Sequence, residues 1–319
     1  MEQYLAIKAK HKNSILFFRM GDFYEMFYDD AKIGAAVLGI ALTSRAHGKS
    51  ADVPLAGFPH HALDGYLAKM IKAGHRVAIC EQVEDPKLAK TIVKREVTEI
   101  VTPGTAVSDD LLETKRNNFL VAIYLEKQSF GLAKIDVSTG EFEIGEFVER
   151  ELEEKLAAIS PAEILLPESQ EERFAKLYKN RLNILLTPRE EWTFQYDYSY
   201  DHLLQHFATL SLKGFGVDDI PIAICAAGAV LAYLRENQQA KLAHITSLSR
   251  FSDAGLLQID TTTRRNLELL YPMNSFNKQG TLLHVLDRTL TPMGGRLFVN
   301  WLLYPLNNLK KIQQRHTVV

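Results

Sequence analysis

The sequence predicts an α/β protein built as two successive mixed sheets followed by the start of an all-α segment. Three observations carry that reading. Short apolar runs alternate with stretches of helical period as far as about residue 250. A Thr-Pro-Gly-Thr break at 102–105 divides those runs into two blocks. Beyond Phe251 the strand-like runs give way to helical text with capping signals.

Composition sets the outer limits. A chain of 319 residues is long for one domain and suggests two or three. With 46% hydrophobic and 24% charged residues it can bury ordinary cores, and nothing in the composition points to disorder. No apolar run approaches a membrane span. The opening Met1 to Lys8 is a charged amphipathic helix start without a signal-peptide core. Cys80 and Cys225 stand far apart in apolar runs, as expected of two buried thiols in a reducing cytosol, and they cannot form a paired-cysteine zinc site. The net charge is −2, yet the first 102 residues carry 14 Lys+Arg against 12 Asp+Glu. That asymmetry is a faint pointer to nucleic acid; local clusters matter more than totals.

In the first block, Ser14 to Met20 reads as a buried strand. A helix is expected from about Tyr24 to Leu38, ended by Gly39. Val53 to Phe58 reads as an edge-like strand, because Pro54 has no N–H for a ladder. Ala62, Leu63, Tyr66, Leu67, Met70 and Ile71 recur at helical spacing, with Gly74 as a cap. Arg76–Glu81 and Glu96–Val101 read as strands. The second block has three sequential strands at Leu120–Tyr124, Gly131–Val137 and Glu141–Phe147. Helices near 149–159 and 171–179 then alternate with strands at 163–166 and 183–186, and helices at about 200–212 and 221–239 follow. Strands that meander first and cross over later match a ribonuclease-H-like mixed sheet. In the last segment, helices are expected at 264–269 and 281–290. Another starts with Thr291 as N-cap and Pro292 in its first turn.

The stretch Arg19-Met20-Gly21-Asp22-Phe23-Tyr24-Glu25-Met26-Phe27 carries the most chemistry. In an extended backbone, Phe23 and Glu25 project to one side and present a flat ring beside a carboxylate. An aromatic beside an apolar strand is usually core; the functional alternative is a wedge that unstacks bases and kinks a duplex. Glu25 reads either as a charge in the first turn of a helix or as a hydrogen-bond acceptor for a displaced base. Arg45, His47 and Lys49 form one basic loop, and Lys87, Lys90, Lys94 and Arg95 another. Both suit either phosphate contacts or a solvated surface. His60 and His61 are adjacent, so they diverge and do not suggest a shared metal. Gly48-Lys49-Ser50 lacks the first glycine of a phosphate-binding loop, which is Thr43 here, so ATP hydrolysis is not expected of this chain. Asp136 sits where ribonuclease-H-like nucleases hold a metal-binding aspartate, but nothing in the sequence ties Glu163 or Asp218 to it.

The Phe-X-Glu stretch resembles the mismatch-reading motif of the MutS family of DNA mismatch repair proteins. Further stretches resemble the same family, in family order along the chain: Pro54–Pro59, Val77–Gln82, Ile100–Thr105, Arg264–Leu269 and Leu286–Gly294. The resemblance implies a mismatch-recognition domain at 1–103, a linker at 104–115, a ribonuclease-H-like connector at 116–250 and the start of a helical core or lever domain at 251–319. It implies that Phe23 stacks on a mispaired or unpaired base in the minor groove and that Glu25 hydrogen-bonds it. Arg45, Lys49, Lys87, Lys90, Lys94 and Arg95 are then candidates for the DNA backbone. The implied partners are duplex DNA with a mismatch or small insertion/deletion loop, MutL, and a second copy in the full-length protein. Clamp and ATPase regions, with ATP and Mg2+, would lie beyond Val319. A cytoplasmic location follows, with no membrane partner and no cofactor or metal in this chain. Two other readings stay open: a protein-interaction module without DNA binding of its own, and a metal-dependent nuclease acting through Asp136.

Overall fold

The computed structural model describes residues 1–45, 53–84, 93–106, 115, 117–179, 184–237, 242–252, 255–257, 259–273 and 279–318. After α1 (Glu2–Lys10), strand β1 (Ile15–Met20) organises the first domain. Its residues alternate between two cores: Ile15 and Phe17 face one, Leu16 and Phe18 the other. A strand apolar on both sides must be covered on both faces. α1 covers the Leu16/Phe18 face through Tyr4, whose ring meets Phe18 and Phe27 edge-on at 5.5 and 4.8 Å. Residues of α2 (Tyr28–Leu38) and α3 (Leu63–Lys72) fill the opposite core. The strand order is β3 (Thr43–Arg45), β4 (Val53–Pro59), β2 (Phe23–Phe27), β1, β5 (Val77–Gln82), β6 (Arg95–Val101). The β1–β5 pair is parallel and the remaining neighbours are antiparallel.

Two expectations are corrected here. The helix expected from Tyr24 begins at Tyr28, and residues 23–27 stay extended. Pairing on both edges, with β1 and β4, holds them so, and Tyr24 and Met26 enter the core at strand spacing. Glu25 therefore does not sit in the first turn of a helix. Nor is the segment at Val53 an edge strand, since β4 lies between β3 and β2. Pro54 is tolerated because β2 pairs only as far as Leu55, leaving Pro54 past the last rung of that ladder. Gly39 ends α2 in the left-handed region at φ 69, as expected.

The second domain opens with the antiparallel meander β7 (Phe119–Glu126), β8 (Ser129–Asp136) and β9 (Glu141–Val148). After α4 (Leu152–Ile159), β10 (Glu163–Pro167) returns parallel to β7. α5 (Glu168–Phe174) leads to β11 (Leu185–Arg189), and β12 (Ser249–Arg250) joins beside β9. The order β11-β10-β7-β8-β9-β12 is the meander-then-crossover sheet read from the sequence. Apolar almost all round, α7 (Pro221–Asn237) is a buried helix. It lies so close to β8 that a Cβ at Gly131 would stand 2.1 Å from the Ile222 carbonyl oxygen. Helix α6 (Tyr196–Phe207) begins and ends earlier than expected. Its first turns are built from Tyr196 against Tyr200 and Tyr198 against His202, pairs at helical spacing that a polar-looking sequence conceals.

The last segment holds α8 (Thr261–Asn266), α9 (Leu282–Leu286), α10 (Pro292–Leu303) and α11 (Leu309–Val318). Thr291 caps α10 as expected, accepting from the Gly294 N–H at 3.1 Å. α9 stops short of the expected Leu290. The Asp287 carboxylate accepts from the Thr289 N–H at 2.9 Å and its hydroxyl at 2.6 Å, a local turn that competes with the helix.

Candidate nucleic-acid interface

β1 and β2 are joined by the two-residue turn Gly21-Asp22, with Met20 opposite Phe23. Gly21 adopts φ +59, which a tight hairpin requires and glycine meets without strain. The Asp22 carbonyl accepts the His60 N–H at 2.8 Å, and His60 Nδ1 lies 3.1 Å from the same oxygen. The hairpin tip is thus fastened to the turn after β4.

Alternation along β2 then sorts its side chains. Tyr24 and Met26 enter the α2/α3 core, while Phe23, Glu25 and Phe27 share the α1 face. Phe27 lies under Tyr4, but the cover thins along the strand: Glu25 is half-buried and Phe23 is 47% exposed. The Phe23 ring is flanked across the ladders by Met20 and Pro59, and Glu25 by Phe18 and Gly57. Gly57 keeps the ground beside Glu25 low. A Cβ there would stand 2.9 Å from the Tyr24 carbonyl oxygen and 3.4 Å from Glu25 Cγ. The outcome is a rigid shelf with one aromatic face and one carboxylate two residues apart.

Beneath the shelf, Tyr24 is 1% exposed and packs against Phe17 and Phe58. Its hydroxyl donates to Glu81, which also pairs with Arg19 at 3.6 Å. Burial, then the Glu81 carboxylate, pushes the Tyr24 phenol well above its ordinary range, so it stays a neutral donor. Cys80, opposite Phe18 on β5, is likewise pushed up to about 12 by burial.

The cationic candidates separate. Lys49, Lys87 and Lys90 lie outside the described residues, as does the Gly48-Lys49-Ser50 tract, and for Arg45 only the backbone, in β3, is described. Lys94 is exposed and pairs with Glu96 at 2.6 Å. Arg95 lies over the Phe18 ring at 5.1 Å. Its guanidinium donates to the Arg19 carbonyl at 2.6 Å, the Val93 carbonyl at 2.9 Å and Gln3 Oε1 at 3.0 Å. Those bonds are structural and hold β6 against β1 and α1. Met20, Gly57 and Pro59 escaped the sequence reading as members of the shelf, although the Pro54–Pro59 stretch had drawn notice as a whole.

The second domain's carboxylates occupy a different setting. Asp136 is fully buried and accepts from Asn117 Nδ2 (2.8 Å), the Asn118 N–H (3.1 Å), the Ser138 N–H (2.9 Å) and the Ser138 hydroxyl (2.6 Å). Asp136 is opposite Phe119, whereas Glu163 is opposite Leu120. Neighbouring residues of one strand face opposite ways, so the two carboxylates look out of opposite faces of the sheet. Among the described residues there is no group of three or more side chains able to hold a metal ion.

Comparison with known families agrees with this architecture. The models named MutS domain I, MutS domain II and MutS domain III match residues 1–110, 118–246 and 262–319. The chain belongs to the MutS family. Relatives named DNA mismatch repair protein MutS include those of Parabacteroides distasonis (47% identical over 320 residues) and Porphyromonas gingivalis (47% over 319 residues). A third, from Chlorobaculum parvum, is 45% identical over 323 residues. Each alignment covers 100% of this chain and 36%, 35% and 37% of the respective relative. The chain thus spans about a third of the length of these MutS relatives, with Phe23 and Glu25 in the part matched by domain I.

Proposed function

We propose that this chain acts in DNA mismatch repair as the lesion-reading part of a MutS protein. The observation that carries the proposal is the shelf on β2: Phe23 exposed at a pinned hairpin, Glu25 beside it, and Tyr24 between them locked into the core. Phe23 stacks on a mispaired or unpaired base from the minor groove, and Glu25 accepts a hydrogen bond from that base. Unstacking costs a few kcal/mol per step and is cheapest where pairing is already poor. Selectivity then follows deformability rather than sequence. Glu25 repels phosphates, so it sacrifices affinity for intact duplex. Arg45, Lys49, Lys87, Lys90 and Lys94 supply backbone contacts, while Arg95 serves the domain's own packing.

In the full-length protein, ATP and Mg2+ act in regions outside this chain, a second copy completes the DNA clamp, and MutL docks in part on the connector. The site of action is the bacterial cytoplasm, where the DNA is. The nuclease reading is disfavoured by the opposed faces of Asp136 and Glu163.

The test is low-salt fluorescence anisotropy on a matched duplex and on one with a single unpaired thymine, using wild type and Phe23→Ala. Tighter binding to the defect, abolished in Phe23→Ala, supports the proposal. Equal binding to both duplexes, unchanged by the substitution, removes mismatch reading from this chain and favours the interaction module.

A further inference from the structure

The first sheet ends at Val101 on its edge strand β6, and the next residues cross to the connector. There they meet Glu163, the first residue of β10, which is fully buried. Its two oxygens serve different partners. Oε2 accepts from the Thr102 hydroxyl at 2.5 Å and the Gly104 N–H at 3.1 Å, both on the segment leaving the first domain. Oε1 accepts from the Thr187 hydroxyl and the Tyr233 hydroxyl, each at 2.6 Å, both in the connector. From the first domain, Arg76 reaches over the Tyr233 ring at 5.7 Å. The crossing segment is also braced from within. The Thr102 N–H donates to Thr105 Oγ1 at 3.0 Å, and Asn118 Nδ2 donates to the Pro103 carbonyl at 2.7 Å. The fit leaves no slack: a Cβ at Gly104 would stand 2.8 Å from Glu163 Cβ and from Leu120 Cδ1.

We propose that Glu163 is a positioning residue that locks the reading domain to the connector and so sets the orientation of the Phe23 shelf. A buried carboxylate is expensive unless its acceptor capacity is filled. Here it is filled only when both domains are in place. Separation of Thr102 and Gly104 would leave Oε2 bare, so the seam behaves as closed or open, with little between. The consequence at DNA rests on the proposed mismatch reading; the lock itself does not.

The experiment measures interdomain distances by double electron–electron resonance in the full chain, with spin labels at Lys72→Cys and Gln205→Cys. Both positions are exposed, and the native cysteines are buried. Thr102→Val removes one donor, and Gly104→Ala forces a methyl against Glu163. Both should broaden the distance distribution severalfold relative to wild type. Glu163→Gln should keep it narrow. Its amide oxygen can accept from Thr102 and Gly104 while its NH2 donates to the oxygens of Thr187 and Tyr233, which either donate or accept. Fluorescence of Trp192, recorded with Trp301→Phe in every variant, reports that the connector remains folded. A distribution as narrow in both Thr102→Val and Gly104→Ala as in wild type overturns the lock. On the matched and unpaired-thymine duplexes, the ratio of Kd values should fall toward one in those two variants and persist in Glu163→Gln. An open seam with an unchanged ratio overturns the positioning role. A wild type with no preference refutes the reading proposal instead, while the distances still decide the lock.

Discussion

Adjacent residues on β2 offer a stringent test, because the wedge reading requires them to behave oppositely. Tyr24 is 1% exposed, packed among aromatic rings and hydrogen-bonded to Glu81. Truncating such a side chain leaves a cavity among the rings and removes one hydrogen bond to Glu81, so Tyr24→Ala should cost about 3–5 kcal/mol. Phe23 is 47% exposed. A complete aromatic side chain buries roughly 200 Å2, so the hidden half is about 100 Å2. At about 25 cal/mol per Å2, reduced for a compact unfolded state, Phe23→Ala should cost about 1.5–2 kcal/mol. Both tryptophans, Trp192 and Trp301, lie outside the first domain, so fluorescence would miss the effect. Hydrogen exchange of the β1 and β5 amides reads it directly. A loss of protection in Phe23→Ala equal to that in Tyr24→Ala would make Phe23 a core residue and sink the wedge. The surface left exposed on Phe23, also about 100 Å2, corresponds to about 2.5 kcal/mol on stacking, or roughly 60-fold in Kd for the defective duplex.

Other expectations follow from the same geometry. Glu25→Gln removes a phosphate-repelling charge, so matched-duplex affinity should rise and discrimination fall; anisotropy that shows weaker binding to matched duplex would contradict this. Burial pushes Cys80 up to about 12 and Cys225 up to about 11, so at pH 8 neither thiol should react with an aromatic disulfide reagent until urea unfolds its domain. The hydrogen bonds from Lys115, then those from Thr289, lower the Asp287 carboxyl to about 2. A depressed folded pKa contributes stability above the unfolded value, so the Lys115–Asp287 tie at 2.8 Å should persist at pH 5 and fail between about pH 4 and 2. A carboxyl carbon titration of Asp287 by NMR with a midpoint near 4 would refute that.

Most strands of both sheets were legible because their apolar runs are short and bounded, as Ile15–Met20 and Phe119–Glu126 show, whereas Thr43–Arg45 and Ser249–Arg250 are too short to carry a pattern. β2 was misread because Phe23–Phe27 runs into Tyr28–Leu38 with no breaker between them. What keeps it extended is pairing with Leu55–Pro59, more than 25 residues away. That Phe23 and Glu25 project to one side was legible only on the extended alternative of the sequence reading, which β2 adopts. The structural duty of Arg95 was not, since it depends on Gln3 and Arg19, 92 and 76 residues away in sequence. The Glu163 seam was hidden for the same reason: its donors stand 61, 59, 24 and 70 residues away.

The opposed directions of Asp136 and Glu163 also bear on how the second domain tolerates change. Asp136 ties down the end of β8 and the turn that follows it, and Glu163 closes a seam on the far side of the same sheet. The two are nevertheless linked through Asn118, whose N–H donates to Asp136 while its Nδ2 donates to the Pro103 carbonyl in the segment that Glu163 holds, so substitutions at both should deviate from additivity by about 0.5 kcal/mol or more. A lineage that remodels the turn at Asp136 should therefore readjust the seam as well, with Asn118 as the residue through which the change is felt.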